Sequence, residues 1–79
     1  MFDGKIVLIT GGTGSLGTAL TKKILETNVS TIRIFSRDEW KQVQMESEIK
    51  DKRLRFFIGD VRDKDRLTRA LENVDIVIH

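Results

Sequence analysis

Seven residues, Gly11-Gly12-Thr13-Gly14-Ser15-Leu16-Gly17, join the apolar stretch Lys5-Ile6-Val7-Leu8-Ile9-Thr10 to the helix-forming stretch Thr18-Ala19-Leu20-Thr21-Lys22-Lys23-Ile24-Leu25. The order strand, glycine turn, helix restricts the chain to a small set of α/β folds. Glycine tolerates the positive φ of a sharp turn and lets another group approach the backbone closely. The helix that follows offers unpaired N–H donors and partial positive charge at its N-terminus, where a dinucleotide diphosphate binds. Two registers overlap, Gly12-x-Gly14-x-x-Gly17 and Gly11-x-x-Gly14-x-x-Gly17. As letters alone either pattern is weak; the strand before it and the helix after it give it force. No Gly-Lys-Ser/Thr closes the loop, because Thr18 follows Gly17, so it is not a nucleoside-triphosphate loop.

Apolar runs and amphipathic segments alternate along the rest of the chain. Ile6 to Ile9, Ile32 to Phe35, Leu54 to Ile58 and Val74 to Ile78 are short and mostly β-branched or aromatic, and read as strands. In the first intervening segment Leu16, Leu20 and Ile24 fall four apart, with Ala19 and Leu25 widening the stripe and Lys22, Lys23 and Glu26 facing away. Asp38 to Lys50 has no glycine or proline and carries Trp40, Val43 and Ile49 on a weaker apolar face. Ser36 and Glu39 have the spacing of a capping box that would start this second helix. In the third segment Leu67, Ala70, Leu71 and Val74 follow i, i+3, i+4, i+7, with Asp63 or Asp65 as N-cap and a stop at Asn73.

The resulting βαβαβαβ order predicts an α/β fold, the N-terminal part of a Rossmann-like doubly wound parallel sheet with right-handed crossovers and strand order 3-2-1-4. No linker, repeat or low-complexity segment interrupts it. The expectation is one unit over residues 1–79, part of a larger nucleotide-binding domain whose remainder, including the substrate-binding part, is absent. A piece of this size buries only roughly 60% of its unfolded surface, so its stability should be marginal. With no cysteine, and His79 the sole histidine, neither a disulfide nor a metal staple is expected.

The loop residues divide the work of a phosphate site. Gly11, Gly14 and Gly17 shape the turn, Thr13, Ser15 and Leu16 contribute N–H groups, and the Thr13 and Ser15 hydroxyls are within reach of phosphate. Ser15 reads equally well as a plain helix N-cap. At the end of the second strand, an acid takes the ribose hydroxyls in NAD sites and an arginine suits the 2′-phosphate of NADP. Here the strand ends Phe35-Ser36-Arg37-Asp38. Arg37 offers a planar fork, Ser36 a hydroxyl, and Lys41 a second cation one helical turn on, which favours NADP; Asp38 keeps NAD open. After the third strand, Asp60 can accept an adenine amino group with Val61 against the base, or Asp60 can serve only a turn and cap. Trp40 reads as a packing residue rather than a stacking platform.

Composition excludes more than it names. Fourteen Lys and Arg against twelve Asp and Glu leave a net charge of +2, which gives no reason to expect nucleic acid as a partner. The longest apolar runs fall far short of the roughly 20 residues of a membrane helix, and no secretory leader opens the chain, so a cytoplasmic location is expected. The absence of tyrosine means that these residues cannot complete a mechanism needing a phenol acid or base.

Three stretches taken together resemble a family: Thr10 to Gly17; Phe35-Ser36-Arg37-Asp38-Glu39 with Lys41, Gln42 and Met45; and Arg53-Leu54-Arg55-Phe56-Phe57-Ile58-Gly59-Asp60-Val61-Arg62-Asp63. The sequence resembles the start of extended short-chain dehydrogenase/reductases of the polysaccharide-biosynthesis group, whose nearest branches are the inverting UDP-N-acetylglucosamine 4,6-dehydratases and related C4-epimerases. The resemblance covers essentially the whole chain. It implies that Thr13 to Leu16 hold the diphosphate, Ser36 to Lys41 the adenosine ribose phosphate, and Asp60 with Val61 the adenine. It also implies an Ala-Ala-Ala-Leu-Lys segment after His79 and a later Tyr-x-x-x-Lys pair, so no catalytic residue is expected within residues 1–79. For the full-length protein the resemblance implies NADP-dependent oxidation of a UDP-sugar at C4. Loss of water across C5 and C6 and hydride return to C6 follow in a dehydratase, or return to C4 from the other face in an epimerase. A reductase of the same group and a non-catalytic NADP-sensing regulator that keeps the glycine loop without the Tyr-x-x-x-Lys pair are the alternatives, and a homo-oligomer is expected.

Overall fold

Four short runs rich in Ile, Val and Phe form the strands of one sheet in the structure, a computed structural model that describes residues 1–11 and 13–79. Gly12, and with it the first of the two glycine registers, lies outside the described residues. The elements are β1 (Ile6–Thr10), α1 (Ser15–Leu25), β2 (Thr31–Ser36), α2 (Glu39–Ile49), β3 (Leu54–Ile58), α3 (Lys64–Leu71) and β4 (Ile76–Ile78). All pairings are parallel and the spatial order is β3-β2-β1-β4, as the alternating pattern predicted.

Register explains why the strands read as continuous apolar runs. Ile76, Val7, Ile32 and Leu54 pair in one row across the sheet, and Ile78, Ile9, Ile34 and Phe56 in the row two residues on. Both rows lie on the face covered by Leu20, Ile24 and Leu25 of α1 and Met45 and Ile49 of α2. The intervening residues point the other way, where Leu8, Phe35 and Phe57 pack with Leu67 and Ala70 of α3 and with Val74. A strand buried on both faces has no polar side to alternate with, which is how a parallel sheet differs from a half-exposed one.

Several local expectations are corrected. Gly14 is the N-cap of α1, so Ser15 is already helical and does not cap it. Leu16, at 83% exposure, and Ala19 are outside the core; Thr21 is buried in their stead, its hydroxyl donating to the Gly17 carbonyl at 2.8 Å. Asp38, not Ser36, caps α2, accepting the Lys41 N–H at 3.0 Å, because residue 36 is still paired in β2 opposite Ile58. Trp40 and Val43 are exposed, and the face of α2 turned inward carries Gln42, Met45 and Ile49. Asp63 resolves the choice of cap for α3 by accepting the Arg66 N–H. Leu71 is exposed, Asn73 makes the turn at φ 63°, and β4 starts at Ile76 rather than Val74.

Candidate functional site

The ends of β1, β2 and β3 bring the glycine loop, Ser36-Arg37 and Gly59-Asp60 to one edge of the sheet. Gly11 leaves β1 with φ +65° while its N–H donates to the Phe35 carbonyl at 2.8 Å. That positive φ is open to glycine at little cost and disfavoured for a residue with a Cβ. The chain then enters α1 with no side chain on the cap: the first helical bond runs from the Thr18 N–H to the Gly14 carbonyl at 2.9 Å. The other two helices are closed by Asp38 and Asp63, and each has an acid in its first turn; α1 has neither. Its first-turn N–H groups and the positive end of its dipole are thus left to an external anion.

Three adjoining hollows line this edge. Gly11, Phe35, Arg37, Asp60 and Val61 are among the walls of a cleft of about 430 Å³. Thr13, Ser36, Arg37 and Lys41 border a second of about 610 Å³, and Thr13, Gly14, Ser15 and Lys41 a third of about 430 Å³. Arg37 and Ser36 are shared by the first two, and Thr13 and Lys41 by the last two. The sequence-predicted residues therefore form a continuous path from Asp60 and Val61 past Arg37 to the glycine loop. Leu16 and Gly17 line none of these hollows; Leu16 projects into solvent and Gly17 lies half-buried in the first turn of α1.

Ser36 is held by a residue that the reading of individual side chains passed over. Gln42, 4% exposed, donates through Nε2 to Ser36 Oγ and to the Phe57 carbonyl, both at 2.9 Å. It ties α2 to the ends of β2 and β3 and leaves the Ser36 hydroxyl proton free to be donated. Gly59 is the second omission. A Cβ there would lie 2.9 Å from Phe35 Cζ and 3.0 Å from Arg66 Cδ, so the Phe35 ring can floor the cleft only because residue 59 has no side chain.

Asp60 is a hub of charge. Its Oδ1 accepts the Arg62 N–H at 2.9 Å and Arg62 Nε at 3.2 Å, and its Oδ2 accepts Arg62 Nη2 at 2.8 Å. Arg37 Nη1 lies 3.5 Å from the same Oδ2. Arg62's side-chain bonds, then its backbone N–H, then the charges of Arg62 and Arg37, hold the Asp60 carboxyl well below the usual carboxylate range. The spacing Asp-x-Arg is the signal for this, since an aspartate accepts the N–H two residues on in an Asx turn. At the end of β4, His79 Nδ1 lies 2.6 Å from Thr10 Oγ1. Among the described residues no group of three or more His, Asp or Glu is placed to hold a metal, and no helix is long and apolar enough to cross a membrane.

Residues 7–79 match the family described as polysaccharide biosynthesis protein. The chain belongs to this family. Among relatives of this chain, the inverting UDP-N-acetylglucosamine 4,6-dehydratase of Campylobacter jejuni strain 81-176 is 55% identical over the whole chain. The UDP-glucose 4-epimerase of Rickettsia prowazekii is 45% identical, also over the whole chain. The X-ray structure of Pen from Bacillus thuringiensis superimposes with a TM-score of 0.92 at 42% identity over 98% of the chain and 24% of its own. The resemblance to the polysaccharide-biosynthesis group stands, and the sheet has the Rossmann-like order expected of it. The chain spans about a quarter of the length of these relatives, 24% of each.

Proposed function

We propose that residues 1–79 are the N-terminal portion of a single NAD(P)-binding domain and form the adenosine and diphosphate part of its cofactor site. The protein is read as an NADP-dependent 4,6-dehydratase of the UDP-N-acetylglucosamine type, serving polysaccharide or glycan sugar synthesis. The observation that carries the NADP reading is the convergence of Arg37, Ser36 and Lys41 on the hollow beside the uncapped start of α1. The donor set fits the group. Backbone N–H groups of Thr13, Ser15 and Leu16 meet the diphosphate, with Gly11, Gly14 and Gly17 allowing the turn and the approach. Arg37 and Lys41 meet the 2′-phosphate with Ser36 donating its hydroxyl proton, and Asp60 with Val61 border the adenine. Bound there, the cofactor supplies a reversible hydride acceptor for the sugar, while these residues bind and orient it.

A C4-epimerase is the second reading, favoured by the 45% identity to the Rickettsia enzyme. One experiment on the full-length protein tests both. Dissociation constants for NADP and NAD are measured for the wild type and Arg37→Ala, and UDP-N-acetylglucosamine is incubated with the wild type. Arg37→Ala is expected to weaken NADP at least about tenfold, as for loss of a charge-assisted contact, and to leave NAD nearly unchanged. Equal weakening of the two refutes the 2′-phosphate role. A product lighter by one water supports the dehydratase, an isomer of unchanged mass the epimerase, and no turnover sinks both.

A further inference from the structure

One carboxylate oxygen serves two arginines, one from the loop after β2 and one from its own loop after β3. Asp60 Oδ2 is 2.8 Å from Arg62 Nη2 and 3.5 Å from Arg37 Nη1. The carboxylate is the fixed member of the three. Its own backbone is turned by the Asp63 N–H bond to the Asp60 carbonyl at 2.8 Å, and its Oδ1 is pinned by the Arg62 N–H. The Asp60 side chain is 27% exposed, whereas those of Arg37 and Arg62 are 74% and 82% exposed and lack packing to hold them. The only ion pair of Arg37 among the described residues is this one. Where the Arg37 guanidinium rests is therefore set across the cleft, from the end of β3.

We propose that Asp60 is a cofactor-selectivity residue that acts through Arg37, holding the guanidinium at the mouth of the cleft where a 2′-phosphate arrives. This rests on the NADP reading above and adds to the place of Asp60 beside the adenine. Arg62 aims the carboxylate by its two-point fork, so that Oδ2 faces Arg37. The carboxylate does not cancel the attraction for phosphate. Two guanidiniums share one carboxylate, the cluster keeps a net positive charge, and Lys41 adds another beside the hollow that Arg37 also lines. Without Asp60, two unpaired guanidiniums would repel each other and Arg37 would sample solvent before each binding event. Part of the affinity for the 2′-phosphate would then be spent on ordering it.

The two roles of Asp60 separate by cofactor, because adenine is common to NAD and NADP and the 2′-phosphate is not. Asp60→Asn retains one acceptor oxygen, for the Arg62 N–H, but removes the charge that holds Arg37. In the full-length protein this variant is expected to weaken NADP about three- to fivefold more than it weakens NAD, the upper range for an exposed ion pair, any loss common to both being that of the adenine contact. In an Arg37→Ala background the same substitution is expected to leave the NADP to NAD affinity ratio unaltered. Equal loss for both cofactors, tighter NADP binding, or a persistent effect in the Arg37→Ala background overturns the proposal. If Asp60→Asn does not fold, Arg62→Ala serves: a lowered NADP to NAD ratio supports the proposal and an unchanged ratio overturns it. Failure of the NADP reading is seen separately, as a wild-type ratio that Arg37→Ala does not move.

Discussion

Gly14 and Gly59 are glycines for opposite reasons, and substitution tells them apart. Gly14 has φ −75° and ψ 176°, a conformation any residue adopts, and a Cβ there would meet nothing within 4 Å. Nothing in the fold asks for glycine at this position, so the demand comes from what approaches it. Gly14→Ala is expected to keep stability within about 0.5 kcal/mol, a weaker N-cap offsetting a less flexible unfolded chain. On the proposed cofactor reading, affinity should fall about tenfold, because the methyl would intrude where the diphosphate is proposed to lie against the backbone. At Gly59 the methyl would press on the Phe35 ring, which is 1% exposed. Gly59→Ala is therefore expected to cost about 1–3 kcal/mol of stability as well as affinity. Denaturant melts and cofactor titrations on the two variants check the contrast; a large stability loss at Gly14 would mean that its role is structural.

Helices α1 and α3 are fastened at their C-terminal ends by arginines at or beside neighbouring strands. Arg53, just before β3, donates through Nη2 to the Leu25 carbonyl at 2.7 Å and through Nη1 to the Thr27 carbonyl at 2.9 Å, where α1 runs out of its own partners. Arg33 of β2 does the same for α3, reaching the Ala70 and Glu72 carbonyls at 2.9 and 2.6 Å. Both put positive charge at the negative end of a helix dipole. Arg53→Met, which retains much of the apolar stem, is expected to cost about 2 kcal/mol and to speed amide exchange in the last turn of α1. Unchanged exchange there would show the contact to be idle. Such clamps are invisible in sequence, since an arginine at a strand edge reads as a solvated charge until the partner helix is in place. The strands were legible because burial on both faces leaves Ile6 to Ile9 and Ile32 to Phe35 almost purely apolar. The inward face of α2 was not, because one of its three anchors is Gln42. At about 100° per residue Trp40 lies about 160° around the helix from Gln42, so the largest apolar side chain of α2 faces outward. The path from the glycine loop through Arg37 to Asp60 was legible because each residue ends a strand of known polarity. The Arg62 contact of Asp60 had its signal in the Asp-x-Arg spacing, but the Arg37 contact did not, since it depends on the loops after β2 and β3 converging.

At the scale of the whole molecule, the element contacts are joined by charge across long stretches of sequence, and this gives the fold a predictable response to acid. Asp51 accepts Arg53 Nε at 3.1 Å and Nη2 at 3.0 Å, which orients the guanidinium that clamps α1. The Arg53 side chain, then its backbone N–H, hold the Asp51 carboxyl below its usual 3.8. A carboxyl whose pKa is lower in the folded than in the unfolded chain stabilises the fold fully above the unfolded value. That contribution is lost as pH falls through the folded value. Asp60 has the same sign, its carboxyl depressed by Arg62 and Arg37. Both therefore make stability fall with pH below about 3.8, and neither contributes a pH dependence around neutrality. Asp51→Asn removes one of the two charges while retaining an acceptor for the Arg53 N–H. It is expected to lower stability at pH 7 by about 1 kcal/mol, and to narrow its difference from the wild type as pH falls below that window. Thermal melts of both proteins from pH 7 down to pH 2 measure this directly. A gap that stays constant through the acid range would mean that the Asp51 carboxylate is not what aims Arg53, and that the clamp on α1 holds without it.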